Sequence, residues 1–389
     1  MDEATRQQPR RLVGVDAARG LALFGMIAVH VTPSVGADGG STAAHLVASG
    51  RASALFAVLA GVGLALASGG STEPRGTAPR QARAATAVRA GFLVVVGLAI
   101  GLPDSGVAVI LVYYGVLFLA AIPFLGLRAP ALFALAGFWA LTAPVLSHVL
   151  RLQGLPRTSG NVTTESLADP VGLFWQLTVT GYYPVLPWLA YVLAGLALGR
   201  LTLASTSVAA RIFAGGAALA VGTYVLSWVL LRQGVMDRLT EAGTGGHPTS
   251  RPFTDGVLNT SFYGTTPTTT AWWLTVASPH TATPFDMLHT IGTAAAVLGL
   301  TLLLASRFSG LLSPLAAVGS MTFTLYSVHV LLLATAIPGN VEYAAGLHMA
   351  VALAIAVPWR RYAGRGPLEA VTASAVRSMR KLTAWTSRL

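Results

Sequence analysis

The sequence predicts an all-α integral membrane protein, a bundle of about ten transmembrane helices with both termini in the cytoplasm. Three observations predict it. Only 10% of the 389 residues are charged and 54% are hydrophobic, against roughly 25% charged in an average soluble domain. The apolar residues fall in repeated runs, each long enough for the roughly 20-residue helix that crosses hydrocarbon. When those runs are threaded back and forth, 18 of the 25 Lys and Arg residues collect on one side, as the positive-inside rule requires.

The runs place spans at about 12–34, 50–69, 88–103, 107–127, 130–150, 183–200, 208–231, 284–306, 311–337 and 341–359. With the N-terminus inside, the cytoplasmic segments hold Arg6, Arg10 and Arg11, then Arg75, Arg80, Arg83 and Arg89, then Arg128, Arg200, Arg211 and Arg307. Arg360, Arg361, Arg365, Arg377, Arg380, Lys381 and Arg388 follow the last span. Acids collect opposite, among them Asp38, Asp104, Glu165, Asp169, Asp237, Glu241, Asp255 and Glu342. The first span carries Asp16 and Arg19 near its start and lacks a clean small-residue cleavage site, so it reads as a retained helix rather than a signal peptide.

A single membrane domain is expected over residues 1–360, with outer loops at about 31–49, 151–182 and 232–283, and a basic cytoplasmic tail over 361–389. Residues 261–282 read as either a re-entrant segment or an eleventh helix, and Trp272–Trp273 as an interfacial anchor. The expected location is the plasma (inner) membrane, multi-pass. The net charge of +11 follows from topology, so no nucleic-acid partner is expected. Cysteine is absent, which removes disulfides, thiolate catalysis and Cys-ligated metals.

Ionisable groups inside spans mark function or a buried pair. Arg19 and His30 stand eleven residues apart, about 16 Å along a helix and within about 20° of one face. Asp16 sits three residues before Arg19, in reach of it. At the outer level, His45 and Arg51 flank the start of the second span, and His280, Asp286 and His289 gather at the start of the eighth. Asp286 and His289 share a helix face, so the carboxylate could hold the imidazole in one tautomer and prepare a base. The candidate catalytic residues are therefore His30, His45, Asp286 and His289. His329 and His348 lie on later spans, and His348 is expected to stand apart from this cluster. No ligand spacing for a metal occurs within one helix, so no metal is expected. A proton-coupled transporter uses similar intramembrane groups, but the inverted repeat and paired broken helices of such folds are not visible.

These residues carry a resemblance. Arg11–His30, RLVGVDAARGLALFGMIAVH, resembles the first helix of the transmembrane acyltransferase superfamily. The Arg19-x10-His30 spacing is similar to that of acyltransferase family 3. Asp16–Ala22 and Tyr182–Arg200, YYPVLPWLAYVLAGLALGR, resemble heparan-alpha-glucosaminide N-acetyltransferases. Gly319–His329, GSMTFTLYSVH, and Gly364–Glu369, GRGPLE, are similar to YeiB-like membrane proteins. The resemblance implies an enzyme that takes an acyl group, acetyl foremost, from cytoplasmic acyl-CoA and delivers it to a hydroxyl or amine of an extracytoplasmic acceptor, a glycan or other amine. Arg19 would then meet the donor, and a homodimer is among the assemblies implied. In the glucosaminide acetyltransferases the active-site histidine lies shortly before the second helix, where His45 stands. Those families often have Asn where this chain has His30, which leaves both histidines as candidates for the chemistry.

The topology is testable because the chain has no cysteine. Single cysteines at Thr77 and Ser250 are expected to label from opposite sides of intact cells, Ser250 from outside. Labelling of both from one side would overturn the span assignment.

Overall fold

A computed structural model describes residues 12–386 apart from 37–38, 72–77, 104, 156–159, 261 and 336–342. Arg6, Arg10, Arg11, Arg75, Arg388, Asp38, Asp104 and Glu342, which carry part of the charge asymmetry, and Thr77 lie outside the described residues. Among the described residues the chain is helical, with one isolated β-bridge between Val35 and Ser41. This is what hydrocarbon dictates, since a helix satisfies its backbone polar groups internally.

The helices in order are α1 (Val13–Val31), α2 (Ala43–Ala48), α3 (Arg51–Ala67), α4 (Ala78–Ile100), α5 (Leu111–Ala121), α6 (Ala129–Arg151), α7 (Pro170–Trp175) and α8 (Val185–Gly199). There follow α9 (Thr206–Leu230), α10 (Met236–Ala242), α11 (Arg251–Asn259), α12 (Pro284–Phe308), α13 (Ser313–Gly319), α14 (Thr322–Thr335), α15 (Ala344–Tyr362) and α16 (Pro367–Thr386). Six stretches are long and apolar enough to cross a membrane, or up to eight if each of two bent pairs counts as one span. The bends are 52° between Pro170–Thr180 and α8, and 77° between α13 and α14.

Each of the ten expected spans overlaps a helical stretch, but two fall short of a full crossing. Helix α5 has only 11 residues, and most of its side chains are buried within the bundle. Helix α15 carries His348 and ends in Arg360 and Arg361, which dilutes its apolarity. Residues 261–282 contain a short 3-10 helix, Ala271–Thr275, and otherwise irregular chain. Trp273 is not an interfacial anchor. It is fully buried with Val235, Met236, Leu239, Leu258 and Val276 in a small second core, and its indole N–H donates to Thr269 Oγ1 at 3.0 Å. Trp272 beside it is exposed.

The main core is built by close helix approach at small residues, the means by which helices associate where lipid removes the hydrophobic drive. A Cβ added at Gly61 would lie 2.9 Å from Gly195 Cα, and one at Gly195 would meet the Val58 carbonyl, so α3 and α8 touch backbone to backbone. Helices α9 and α12 do the same at Gly216 and Gly292. In α8, Trp188 is buried between Tyr183 and Tyr191. After the helix, Arg200 donates to the carbonyls of Ala65, Gly70 and Leu125 and to Ser68 Oγ, fastening the ends of α3 and α5.

The expected basic tail contains α16, which packs on α4 and α14. Its Glu369 accepts hydrogen bonds from the backbone N–H groups of Phe323 and Thr324 at 2.8 and 3.3 Å and from Thr324 Oγ1 at 2.6 Å. The carboxylate thus caps the start of α14, where free N–H groups and the helix dipole favour negative charge. Glu369→Ala is expected to lower stability by about 1–3 kcal/mol through the unsatisfied donors, read as a lower thermal midpoint in detergent. Glu369→Gln should fall between, since its amide oxygen still accepts. Equal midpoints for wild type and Glu369→Ala would refute the cap.

Candidate active site

Arg19 and His30 leave the same stripe of α1 into two different spaces. Arg19 lines a cavity of about 330 Å³ together with Arg89, Tyr114, Tyr326, Glu369 and Thr372. Its guanidinium lies 3.3 Å from the Asp16 carboxylate and against Gly63, where any Cβ would fall 2.7 Å from Nη2. Phe56, Leu93, Leu111 and Phe118 supply apolar walls. The cavity therefore offers cations at a greasy opening.

His30 lines a far smaller pocket of about 20 Å³ with Ser53, Tyr183, His280 and Tyr326. A space of that size holds about one water. Tyr326 belongs to both spaces. Its hydroxyl accepts from the Ile110 backbone N–H at 3.3 Å, and beside it Tyr114 donates to the Ser53 carbonyl at 3.3 Å. One layer of tyrosine thus separates the Arg19 cavity from His30.

Beyond the pocket opens a polar cavity of about 760 Å³, lined by His45, Arg51, Trp228, Arg232, Arg251 and Asp255 among others. His45 Nδ1 lies 3.2 Å from Thr42 Oγ1. The segments around Gly50 and Pro279 line both this cavity and the small pocket. Here the backbone is strained. His280, Ala282 and Tyr263 adopt positive φ of 56°, 50° and 47°, a conformation that costs a side-chain-bearing residue energy and clusters at functional sites. The His280 ring lies parallel to Tyr263 and edge-on to Tyr183. Burial, with a smaller contribution from His45, lowers His280 to about 4, so this imidazole is neutral at physiological pH.

Asp286 and His289 are both buried, but they do not form the expected dyad. Asp286 Oδ2 accepts from the Ala282 N–H at 2.9 Å, while Thr283 Oγ1 accepts from the Asp286 N–H at 3.0 Å. Thr283 thus caps the helix while Asp286 reaches back to the residue before the cap, and among the described residues no hydrogen bond joins the carboxylate to His289. His289 Nδ1 instead lies 2.9 Å from the Ala220 carbonyl. A carbonyl only accepts, so Nδ1 carries the hydrogen and Nε2 accepts from Arg51 Nε at 3.1 Å. Arg51 also donates to the Leu46 carbonyl at 2.8 Å. His289 therefore fixes Arg51 in the wall of the polar cavity, with both ring nitrogens engaged.

His348 does not stand apart. His30 Nδ1 lies 3.1 Å from His329 Nε2, and His329 Nδ1 lies 2.9 Å from His348 Nδ1. The outer cluster thus extends to three helices. Tyr326 and His329 stand inside the Gly319–His329 motif, yet nothing in that string says that either reaches α1. Among the described residues no three His, Cys, Asp or Glu side chains are grouped to hold a metal ion, and the three histidines bond to one another instead of converging on a point.

Comparison with curated proteins finds no match. The family model described as heparan-alpha-glucosaminide N-acetyltransferase, catalytic, matches residues 11–233. That stretch holds Arg19, His30, His45, Arg51 and the α3–α8 glycine contact, and it stops before Asp286, His289, His329 and His348. With more than half of the chain matched, this protein belongs to the heparan-alpha-glucosaminide N-acetyltransferase catalytic family.

Proposed function

We propose that the protein is a membrane-embedded acyltransferase, moving an acyl group, acetyl foremost, from acyl-CoA in the Arg19 cavity to a hydroxyl or amine at the His30 pocket. The observation that carries this reading is Tyr326, which walls both spaces. A thioester reaching past one side chain from the first would arrive at an imidazole in the second. Arg19 and Arg89 supply positive charge for the phosphates of the donor, where a guanidinium can bond two oxygens at once. The acceptor enters through the polar cavity past His45, and an extracytoplasmic glycan or glycan-like amine suits its arginines and Trp228. The N- and C-termini and the Arg19 cavity face the cytoplasm, where acyl-CoA is made, and the His45 cavity faces outward across the plasma membrane. Family membership supports the transferase class, and the basic bias of the sequence supports the orientation.

In this mechanism His30 takes the hydrogen of the acceptor through Nε2 as the acceptor attacks the thioester carbonyl, and returns it to the departing thiolate. His45 sits where the acceptor arrives. Asp286 and His289 act as positioning residues, the first by holding the Ala282 N–H ahead of α12 and the second by holding Arg51.

Arg19→Ala is expected to weaken acetyl-CoA binding in calorimetry on purified protein, with Arg19→Lys intermediate because it keeps charge and loses the fork. Wild-type protein that binds neither CoA nor acetyl-CoA would remove the main support for the enzyme reading. His30→Ala should cost roughly 10²–10⁴-fold in transfer with donor binding near normal, and His45→Ala should raise the acceptor KM. Full activity in the His30/His45 double variant would sink the assignment of the base.

A further inference from the structure

We propose that His329 and His348 form a proton relay behind His30, a reading that rests on the acyltransferase function above. The three side chains come from α1, α14 and α15, and the last two lie outside the residues matched by the family model.

The geometry is that of hydrogen-bonded rings in a row. The His30 and His329 rings are within 8° of parallel, with centres 5.3 Å apart. The 3.1 Å between nitrogens accounts for nearly all of that once the two ring radii are added. The rings therefore meet edge to edge in one plane, along the direction in which an N–H points, and are not stacked face on face. His329 then meets His348 at 2.9 Å with the planes 84° apart. Among the described residues no carboxylate bonds to any of the three, so no fixed counter-charge holds a proton at one ring.

Hydrogen counting leaves two neutral arrangements. A neutral imidazole carries one N–H, and the two contacts consume two of the three hydrogens. In the first arrangement His30 and His329 carry theirs on Nδ1 and His348 on Nε2, which leaves a lone pair on His30 Nε2. In the second every hydrogen sits on the other nitrogen of its ring. The far end of the row, His348 Nε2, is buried with no hydrogen-bond partner among the described residues.

The first arrangement is the one that can act. The acceptor X–H bond breaks, its proton passes to His30 Nε2, and the X electron pair forms a bond to the acyl carbon. The Nδ1 proton of His30 moves to His329 Nε2, and the Nδ1 proton of His329 moves to His348 Nδ1. His348 then holds hydrogens on both nitrogens and carries the positive charge. The C–S bond breaks with its electron pair on sulfur, and the reverse movement hands one proton from His30 Nε2 to the thiolate. The sum is acyl thioester plus X–H giving acyl–X plus thiol, with the row reset. The relay removes charge from a pocket of about 20 Å³, too small for water to solvate it and flanked by His280.

The test is a single-turnover assay with acetyl-CoA as donor and glucosamine as amine acceptor, run in mixtures of H₂O and D₂O. Wild type is expected to show a curved dependence of rate on deuterium fraction, the signature of several protons moving together. His329→Gln and His348→Gln keep a hydrogen-bonding side chain but cannot pass a proton through. Each should lower the single-turnover rate constant roughly 10²-fold with acetyl-CoA binding unchanged, and the dependence should become linear. Thermal midpoints and acetyl-CoA binding check that the variants fold. Should His329→Gln not fold, His348→Gln at the end of the row carries the same test. An undiminished single-turnover rate, or curvature that persists in a folded variant, overturns the relay while leaving the acyltransferase reading intact. Wild-type protein that transfers nothing from acetyl-CoA overturns both.

Discussion

A polar atom placed among hydrocarbon has no water to turn to, and the polar contacts between helices of this molecule answer that condition. Arg19 meets Asp16 within its own helix. Glu369 comes from α16 to satisfy the first N–H groups of α14, and Arg200 gathers carbonyls from the ends of α3 and α5. His30, His329 and His348 bond to one another, and His289 bonds to the Ala220 carbonyl and to Arg51. These bonds fix which helices lie side by side, because apolar faces in lipid attract one another weakly and small residues only permit approach. The α3–α8 and α9–α12 glycine contacts set distance, and the polar contacts set register.

What the sequence revealed follows from the range over which each signal acts. The Arg19–His30 stripe is a local property of one helix, so counting by 3.6 residues finds it, and both side chains do open onto the interior. The ten apolar runs are local as well, and each overlaps a helix among the described residues, though only six to eight stretches are long and apolar enough to cross. Their capacity to cross was harder to read for α5, which is buried by its neighbours and so does not need full length. The His30–His329 bond joins positions 299 residues apart, and no pattern along the chain encodes such a contact.

Two local readings went astray for physical reasons. Asp286 and His289 share a face, but the carboxylate stands on the first turn of α12 and accepts from the Ala282 N–H just before the helix, while His289 finds the Ala220 carbonyl. Paired tryptophans suit a membrane interface equally well whether or not a loop folds over them. Only the small core formed by α10, α11 and the 3-10 turn decided that Trp273 is enclosed. In both places a sound propensity was outweighed by a partner that the sequence could not place.

The Arg19 cavity has a consequence in the order of synthesis. Arg19 belongs to α1, while Glu369 and Thr372, which complete the lining, belong to α16, made about 350 residues later. A chain emerges from N- to C-terminus at about 5–20 residues per second. The nascent protein therefore has its spans threaded while the cavity still stands open along the flank where α4 and α14 await α16. A ribosome stalled before the Gly364–Glu369 turn would leave a bundle that is inserted and helical yet unfinished at its binding end. Insertion of the spans and completion of the binding end are thus separate events in the making of this chain.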